Sequence, residues 1–256
     1  MTTTPAPIDF SIRVLSGPTV LIEYAGLRFL TDPTFDGPGE YPVMPGYSMT
    51  KTGASPLGPN EIGQIDAVLL SHDEHDDNLD RGGRAFLPRA RVVFTTVSGA
   101  GRLGANAHGL EFWDEASLTA PGGTLVTLTG LPARHGPEGS EAISGDVIGF
   151  LLTAPGHPSV YISGDNASLD YVQQISDRRA PIDTAILFLG GVRHKPMLDA
   201  QLVTLDNNQA TWVARALGAR RVIPAHFEGW AHFQGTRDDL TDAFRAAGLS
   251  DRLVYA

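Results

Sequence analysis

Residues Leu69–Asp80 read LLSHDEHDDNLD. Two leucines and a serine close an apolar run, and two histidines and four acids then fill the six positions His72–Asp77. The preceding DAVLLS (66–71) has the short, continuous apolar character of a buried strand. The polar cluster therefore hangs from a strand's C-terminal end. A solvated acidic turn would use the same residues, so the decision rests on whether other segments deliver matching side chains.

Three of them do. His135 follows the predicted strand TLVTLTG (124–130), Asp165 closes SVYISGD (159–165), and His226 closes RRVIPAH (220–226). If these strand ends share one edge, the side chains converge on a pocket of nitrogen and oxygen donors. Sulfur is absent because the chain has no cysteine. Imidazole with carboxylate suits a divalent ion, zinc first, with manganese or iron as alternatives, bound singly or as a pair. Asp165 is best placed to bridge two ions. Asp77 and Asp165 are the candidate catalytic acids, positioning a water that the metal activates.

Working outward, SIRVL, TVLIEY and LRFLT are predicted antiparallel strands joined by SGP and AG turns. Residues Asp36–Pro59 are rich in Gly and Pro and read as one long loop at the rim of a site. RVVFTTV (91–97) and VIGFLLT (147–153) continue the strand pattern, and APGHP joins the latter to SVYISGD as a hairpin. After Asp165 strands alternate with helices. DTAILFLG (183–190) is a strand, and 205–219 is a helix with Asp206 as N-cap and Gln209 completing a capping box. A last helix runs from about Asp238 to Ala247. Asp80 is expected to cap the helix after the cluster, and Asp32, in TDP, reads as a turn residue. Residues 1–256 read as a single layered α/β domain.

With these motifs in place, the chain resembles the metallo-β-lactamase-fold superfamily, and within it the ascorbate-6-phosphate lactonase-like hydrolases. The resemblance covers nearly the whole chain. It runs through TVLIEYAGLRFLTDPTF, the SH…H.D segment, SGD and PAH, in the family's order of a His/Asp cluster, a lone His, an Asp after SG and a lone His. It implies a four-layer αββα sandwich with the metal pocket at one edge of the two sheets. The implied ligands are His72, Glu74 or His75, Asp77, His135, Asp165 and His226.

The family motif is written H-x-H-x-D-H, and this chain departs from it. Aligned without a gap, Glu74 stands where the second histidine belongs. With one residue inserted, His75 and Asp77 match and Asn78 replaces the third histidine. Alternation along an extended strand end puts residues 72 and 74 on one side, which favours Glu74. Arg193, His194, Trp230 and His232, in GGVRHKP and FEGWAHF, are candidates for touching substrate, and Glu228 for supporting a ligating imidazole.

The resemblance implies a metal-dependent hydrolase acting on a small ester, lactone, amide or phosphoester. The extra carboxylates motivate an alternative, iron- or manganese-dependent redox or rearrangement chemistry. A third reading is a non-catalytic binding protein with an incomplete site. A net charge of −10, with only 19 Lys and Arg, argues against a nucleic-acid partner. No run reaches the roughly 18 apolar residues of a membrane span, and MTTTPAPIDF lacks the features of a signal peptide. A cytoplasmic enzyme of a small molecule is the expectation.

Overall fold

The computed structural model describes residues 10–104, 106–193 and 198–256. Two six-stranded sheets stack face to face. The first takes β1 (Phe10–Ser16), β2 (Thr19–Tyr24) and β3 (Leu27–Thr31) from the N-terminal segment. A separate hairpin follows, β4 (Gly39–Met44) and β5 (Tyr47–Lys51). The first sheet then resumes with β6 (Ala67–Leu69), β7 (Val92–Thr96) and β8 (Ala107–Leu110), in the spatial order β1-β2-β3-β6-β7-β8. The second sheet comprises β9 (Glu115–Thr119), β10 (Leu125–Pro132), β11 (Ile148–Thr153), β12 (Val160–Ile162), β13 (Thr184–Phe188) and β14 (Arg221–Ala225). Its strands are arranged as β14-β13-β12-β11-β10-β9.

Alternation along the strands decides what each layer buries. In β2, Val20, Ile22 and Tyr24 enter the core between the sheets, while Leu21 faces outward beside Leu30 and Val68. Strand β13 is buried throughout: Ile186 and Phe188 join the inter-sheet core, and Ala185 and Leu187 pack under helices. Those helices are α4 (Leu169–Arg179), α5 (Asn207–Ala216) and α6 (Arg237–Ala246), which seal the second sheet. The first sheet is covered by α1 (Arg81–Phe86), which sends Phe86 into its outer core. Helix α2 (Val97–Leu103) follows β7, and α3 (Glu141–Ser144) is a single turn before β11. The result is the αββα sandwich expected from the sequence.

The strands also set where the site can form. Strand β10 pairs antiparallel with β11, and β11 antiparallel with β12, so β10 and β12 run the same way. Strands β13 and β14 continue parallel to β12. The C-terminal ends of β10, β12 and β14 therefore share one edge, the edge on which open α/β sheets place ligands. Gly164 joins the two sheets there. Its φ of +55° suits glycine, and a Cβ would lie 2.8 Å from that of Ser71.

Predicted caps are present. Asp206 and Gln209 form the capping box of α5, and Asp80 caps α1 by accepting from the Gly83 N–H. Asp36–Pro59 is not one long loop. The stretch holds the β4–β5 hairpin, turned by Pro45-Gly46 with Gly46 at φ +82°. Proline then glycine at the two central positions is a turn signature that the glycine and proline content around it concealed. Among the described residues no helix is long and apolar enough to cross a membrane.

Helix α1 lies so close to the TDP turn that a Cβ on Gly83 would sit 1.8 Å from the Pro33 carbonyl oxygen. Gly83→Ala is expected to lower stability by about 1–3 kcal/mol, the usual cost of overpacking. An unchanged urea midpoint would show that the helix moves aside freely.

Candidate metal centre

His72, His75 and His135 offer ring nitrogens that all lie within 4.8 Å of one another. His72 follows β6 after two residues, and His135 follows β10 after Ala133 and Arg134. His72 Nε2 and His75 Nδ1 are 3.0 Å apart. Each outer nitrogen is anchored where the geometry is resolved: His135 Nδ1 lies 2.6 Å from the Val203 carbonyl, and His72 Nδ1 lies 3.0 Å from Ser71 Oγ. Donation from those nitrogens leaves Nε2 of both rings with its lone pair toward the shared centre, the arrangement of metal-ligating imidazoles.

Burial, together with the nearby imidazoles His75 and His135, holds His72 well below the ordinary histidine range. Burial likewise lowers His75 to about 4, with His135 adding to the effect. Neutral imidazoles carry the lone pairs a cation needs at neutral pH.

A carboxylate side adjoins the histidines. Asp165 Oδ2 lies 3.7 Å from His135 Nε2, and Asp165 Oδ1 lies 3.1 Å from His226 Nδ1. Asp77 Oδ2 lies 3.4 Å from His226 Nε2 and 3.0 Å from His232 Nε2. Burial resists ionisation of Asp77, but the contacts from His226 and His232 outweigh it and hold the carboxyl well below its usual range. Burial pushes Asp165 upward. His226 has a backbone φ of +53°, a strained conformation for a non-glycine residue that is often tolerated at functional sites.

His72, His75, Asp77, His135, Asp165 and His226 are thus brought together at one sheet edge. Glu74 is not among them, although the gapless alignment places it beside His72. Its Oε1 pairs with Arg102 and its Oε2 accepts from the Asp73 N–H at 3.0 Å. Strand β6 ends at Leu69, and the His75 carbonyl already accepts from Asn78 and Leu79 in a turn. Strand alternation therefore stops before residue 72.

The substrate candidates also separate. His232 lines the pocket with His75, Asp77, His135, Asp165 and His226. Trp230 is instead buried beneath the hairpin, its ring 5.0 Å from that of Tyr41. Arg193 faces away, bonding the Ala200 carbonyl at 3.2 Å on an exposed surface outside this pocket. Glu228 pairs with Arg237 at the surface, 2.8 Å away. His194 lies outside the described residues.

Asp32 is no ordinary turn residue. It is fully buried, and its Oδ1 accepts from both the N–H and the Oγ of Ser71, at 3.0 and 2.7 Å. Ser71 Oγ in turn meets His72, so the chain Asp32–Ser71–His72 fixes the ring's orientation. Burial raises Asp32 to about 8. The only signal in the sequence was an acid directly after a strand, in TDP.

The roof is apolar. The hairpin contributes Val43, Tyr47 and Met49, and Val192 and Val203 complete the wall of a cavity of about 80 Å³ above the histidines. No lysine or arginine is among its described lining residues. A larger cavity of about 300 Å³, near Ser98, Phe112, Arg134 and Tyr171, has no histidine among its described lining residues.

The family described as a beta-lactamase superfamily domain matches residues 27–227. The chain is 24% identical over 254 residues to the UPF0173 protein YddR of Bacillus subtilis, covering 95% of this chain and 96% of the relative. It is 26% identical to a UPF0173 metal-dependent hydrolase of Rubrobacter xylanophilus, over 76% of this chain and 78% of that protein. An isothiocyanate hydrolase from Delia radicum gut bacteria superposes with a TM-score of 0.79 at 20% identity, over 95% of both chains. These relatives carry descriptions other than the ascorbate-6-phosphate lactonase that the sequence resembles.

Proposed function

The chain belongs to the beta-lactamase superfamily, and on that premise we propose that it is a metal-dependent hydrolase of a small, uncharged substrate. One observation carries the reading: three buried or half-buried imidazoles converge beneath an apolar roof, beside two buried carboxylates. The donor set fits a divalent cation. With His72 and His135 donating from Nδ1, their Nε2 lone pairs face the shared centre, and among the described residues neither ring nitrogen of His226 makes a hydrogen bond despite burial.

His72, His75 and His135 would hold an ion, with Asp77, Asp165 and His226 beside it. Such an ion supplies Lewis acidity and lowers the pKa of water toward neutrality. The protein's own residues then orient and exclude. Asp77 and Asp165 offer oxygens that align an attacking water. Ser71 and the Val203 carbonyl hold the His72 and His135 rings in place. Val43, Tyr47 and Met49 displace bulk water from the mouth.

The cavity's size and lining support the substrate class. About 80 Å³ admits a reacting head of only a few heavy atoms. Among the described lining residues no lysine or arginine stands ready to hold a phosphate or carboxylate. Compact neutral esters, lactones, amides and isothiocyanates fit, as the isothiocyanate hydrolase with the same fold illustrates. Of the extra carboxylates that motivate redox chemistry, Glu74 pairs with Arg102 instead of joining the histidines.

The test is a substrate panel. Protein stripped by chelation and reloaded with zinc or manganese should hydrolyse p-nitrophenyl acetate and allyl isothiocyanate. Its kcat/KM for these should exceed that for p-nitrophenyl phosphate by at least about tenfold. Preference for the phosphate would refute the neutral-substrate reading. Turnover that survives complete metal removal would refute the metal dependence, and no turnover of any of the three substrates would refute the hydrolase reading itself.

A further inference from the structure

We propose that Asp73 is a positioning residue of the metal centre: gripped by Arg102 and Arg84, it fixes the loop that carries His72 and His75. The inference rests on the reading of the three-histidine group as a metal centre. Two of the three rings have an anchor outside that centre, His72 at Ser71 and His135 at the Val203 carbonyl. His75 has none of this kind. Among the described residues its ring has one hydrogen-bonding neighbour, His72 Nε2 at 3.0 Å. The place of His75 is therefore set by the backbone that delivers it.

That backbone is fastened at Asp73, which lies between the two ligands and turns the other way. The residue is buried, and each of its polar groups is taken. Its N–H donates to Glu74 Oε2 at 3.0 Å, and its carbonyl accepts from Arg84 Nη2 at 2.7 Å. Its carboxylate accepts from Arg102 Nε, 3.0 Å from Oδ1 and 3.2 Å from Oδ2, and Arg102 Nη2 reaches both Asp73 and Glu74. Arg84 Nη1 adds a longer contact, 3.7 Å from Oδ2. Arg84 belongs to α1 and Arg102 to α2, so two helices clamp one residue of the histidine loop. Gly99 lets α2 come this near, since a Cβ there would lie 3.2 Å from Asp73 Oδ1 and 2.9 Å from Thr96 Oγ1. Asp73 is not among the described residues lining the cavity, so its effect on an ion passes through the loop.

Charge alone would give the two sides of this ion pair opposite effects. A carboxylate near a bound cation attracts it, and a guanidinium repels it. Removing Arg102 would then tighten metal binding. If Arg102 instead holds the loop in register, removing it loosens His75 and weakens binding. The sign of the change separates the two roles.

Arg102→Met keeps much of the aliphatic stem and removes the guanidinium, and Arg84→Met tests the same sign from the other helix. Zinc affinity of the full chain is measured by competition with a chromophoric chelator. The visible absorption of the cobalt-loaded protein reports the geometry of the donors. Arg221→Met is the control. Arg221 pairs with Asp183 at 2.8 Å with similar exposure, at the end of β14 opposite His226.

Arg102→Met should bind zinc at least about tenfold more weakly than wild type, the scale of losing a partner outside the ligand set. Its cobalt spectrum should change, Arg84→Met should shift affinity in the same direction, and Arg221→Met should match wild type. Asp73→Asn should weaken binding too. Combined with Arg102→Met it should cost less than the sum of the two, because both break one grip. Zinc bound as tightly as by wild type, or more tightly, in the two arginine variants would overturn the proposal. An equal loss in Arg221→Met would also overturn it, by assigning the effect to general stability. A wild-type protein that binds no zinc would instead defeat the underlying metal reading.

Discussion

His75→Ala is expected to strip the three-histidine site of its metal, while Glu74→Gln leaves metal content unchanged. The two residues are neighbours in sequence with opposite surroundings. His75 is paired ring to ring with His72 and His135, with centroids 4.9 and 5.1 Å away, and burial keeps it neutral to about pH 4. Its loss removes one of the three donors whose ring nitrogens converge. Affinity should fall by more than about 100-fold, beyond the 10- to 100-fold typical of losing a partner outside the ligand set. Glu74 is turned to Arg102, whose side chain is 44% exposed. Amidation there disturbs a solvent-screened pair worth at most about 1 kcal/mol. Metal content by inductively coupled plasma mass spectrometry on both dialysed variants decides the matter. Retention of metal by His75→Ala together with its loss from Glu74→Gln would restore the gapless alignment.

That contrast also marks the limit of what was legible in the sequence. Strand ends were readable because apolar runs stop abruptly, and the positions of His135, Asp165 and His226 follow from those stops. The parallel course of β10, β12, β13 and β14 then brings three of those ends to one edge. Caps were readable for the same local reason, as Asp206 and Asp80 demonstrate. Choosing between Glu74 and His75 required knowing that the strand ends at Leu69, and a three-residue strand carries no such signal. Asp32 was invisible because its importance lies in reaching Ser71, 39 positions away. The hairpin roof escaped because its outer residues are exposed, so burial left no alternating pattern to read.

The roof's attachment leads to the largest expected loss of stability. Asp80→Asn should destabilise the protein by about 3–5 kcal/mol, the range for removing one partner of a buried ion pair. Lys51, the last residue of the hairpin, is fully buried, and its Nζ lies 2.9 Å from Asp80 Oδ2. Asp80 also accepts from the backbone N–H groups of Phe35, Asp36 and Gly83, at 3.0, 2.8 and 2.7 Å. One carboxylate thus ties the hairpin, the TDP turn and α1 to the end of the histidine loop. An asparagine keeps one acceptor oxygen, but its amide must then face the Lys51 ammonium or a backbone N–H. Donor meets donor, and a buried cation loses its counter-charge. Trp230 offers only partial relief, its ring centroid 5.7 Å from Nζ. Adding Lys51→Met removes the stranded ammonium, so the double variant should be more stable than Asp80→Asn alone, a coupling that a double-mutant cycle reads directly. Urea unfolding of the four proteins measures it. A single-variant loss below about 1 kcal/mol, or strict additivity, would mean that the pair neither carries the roof nor couples it to the site.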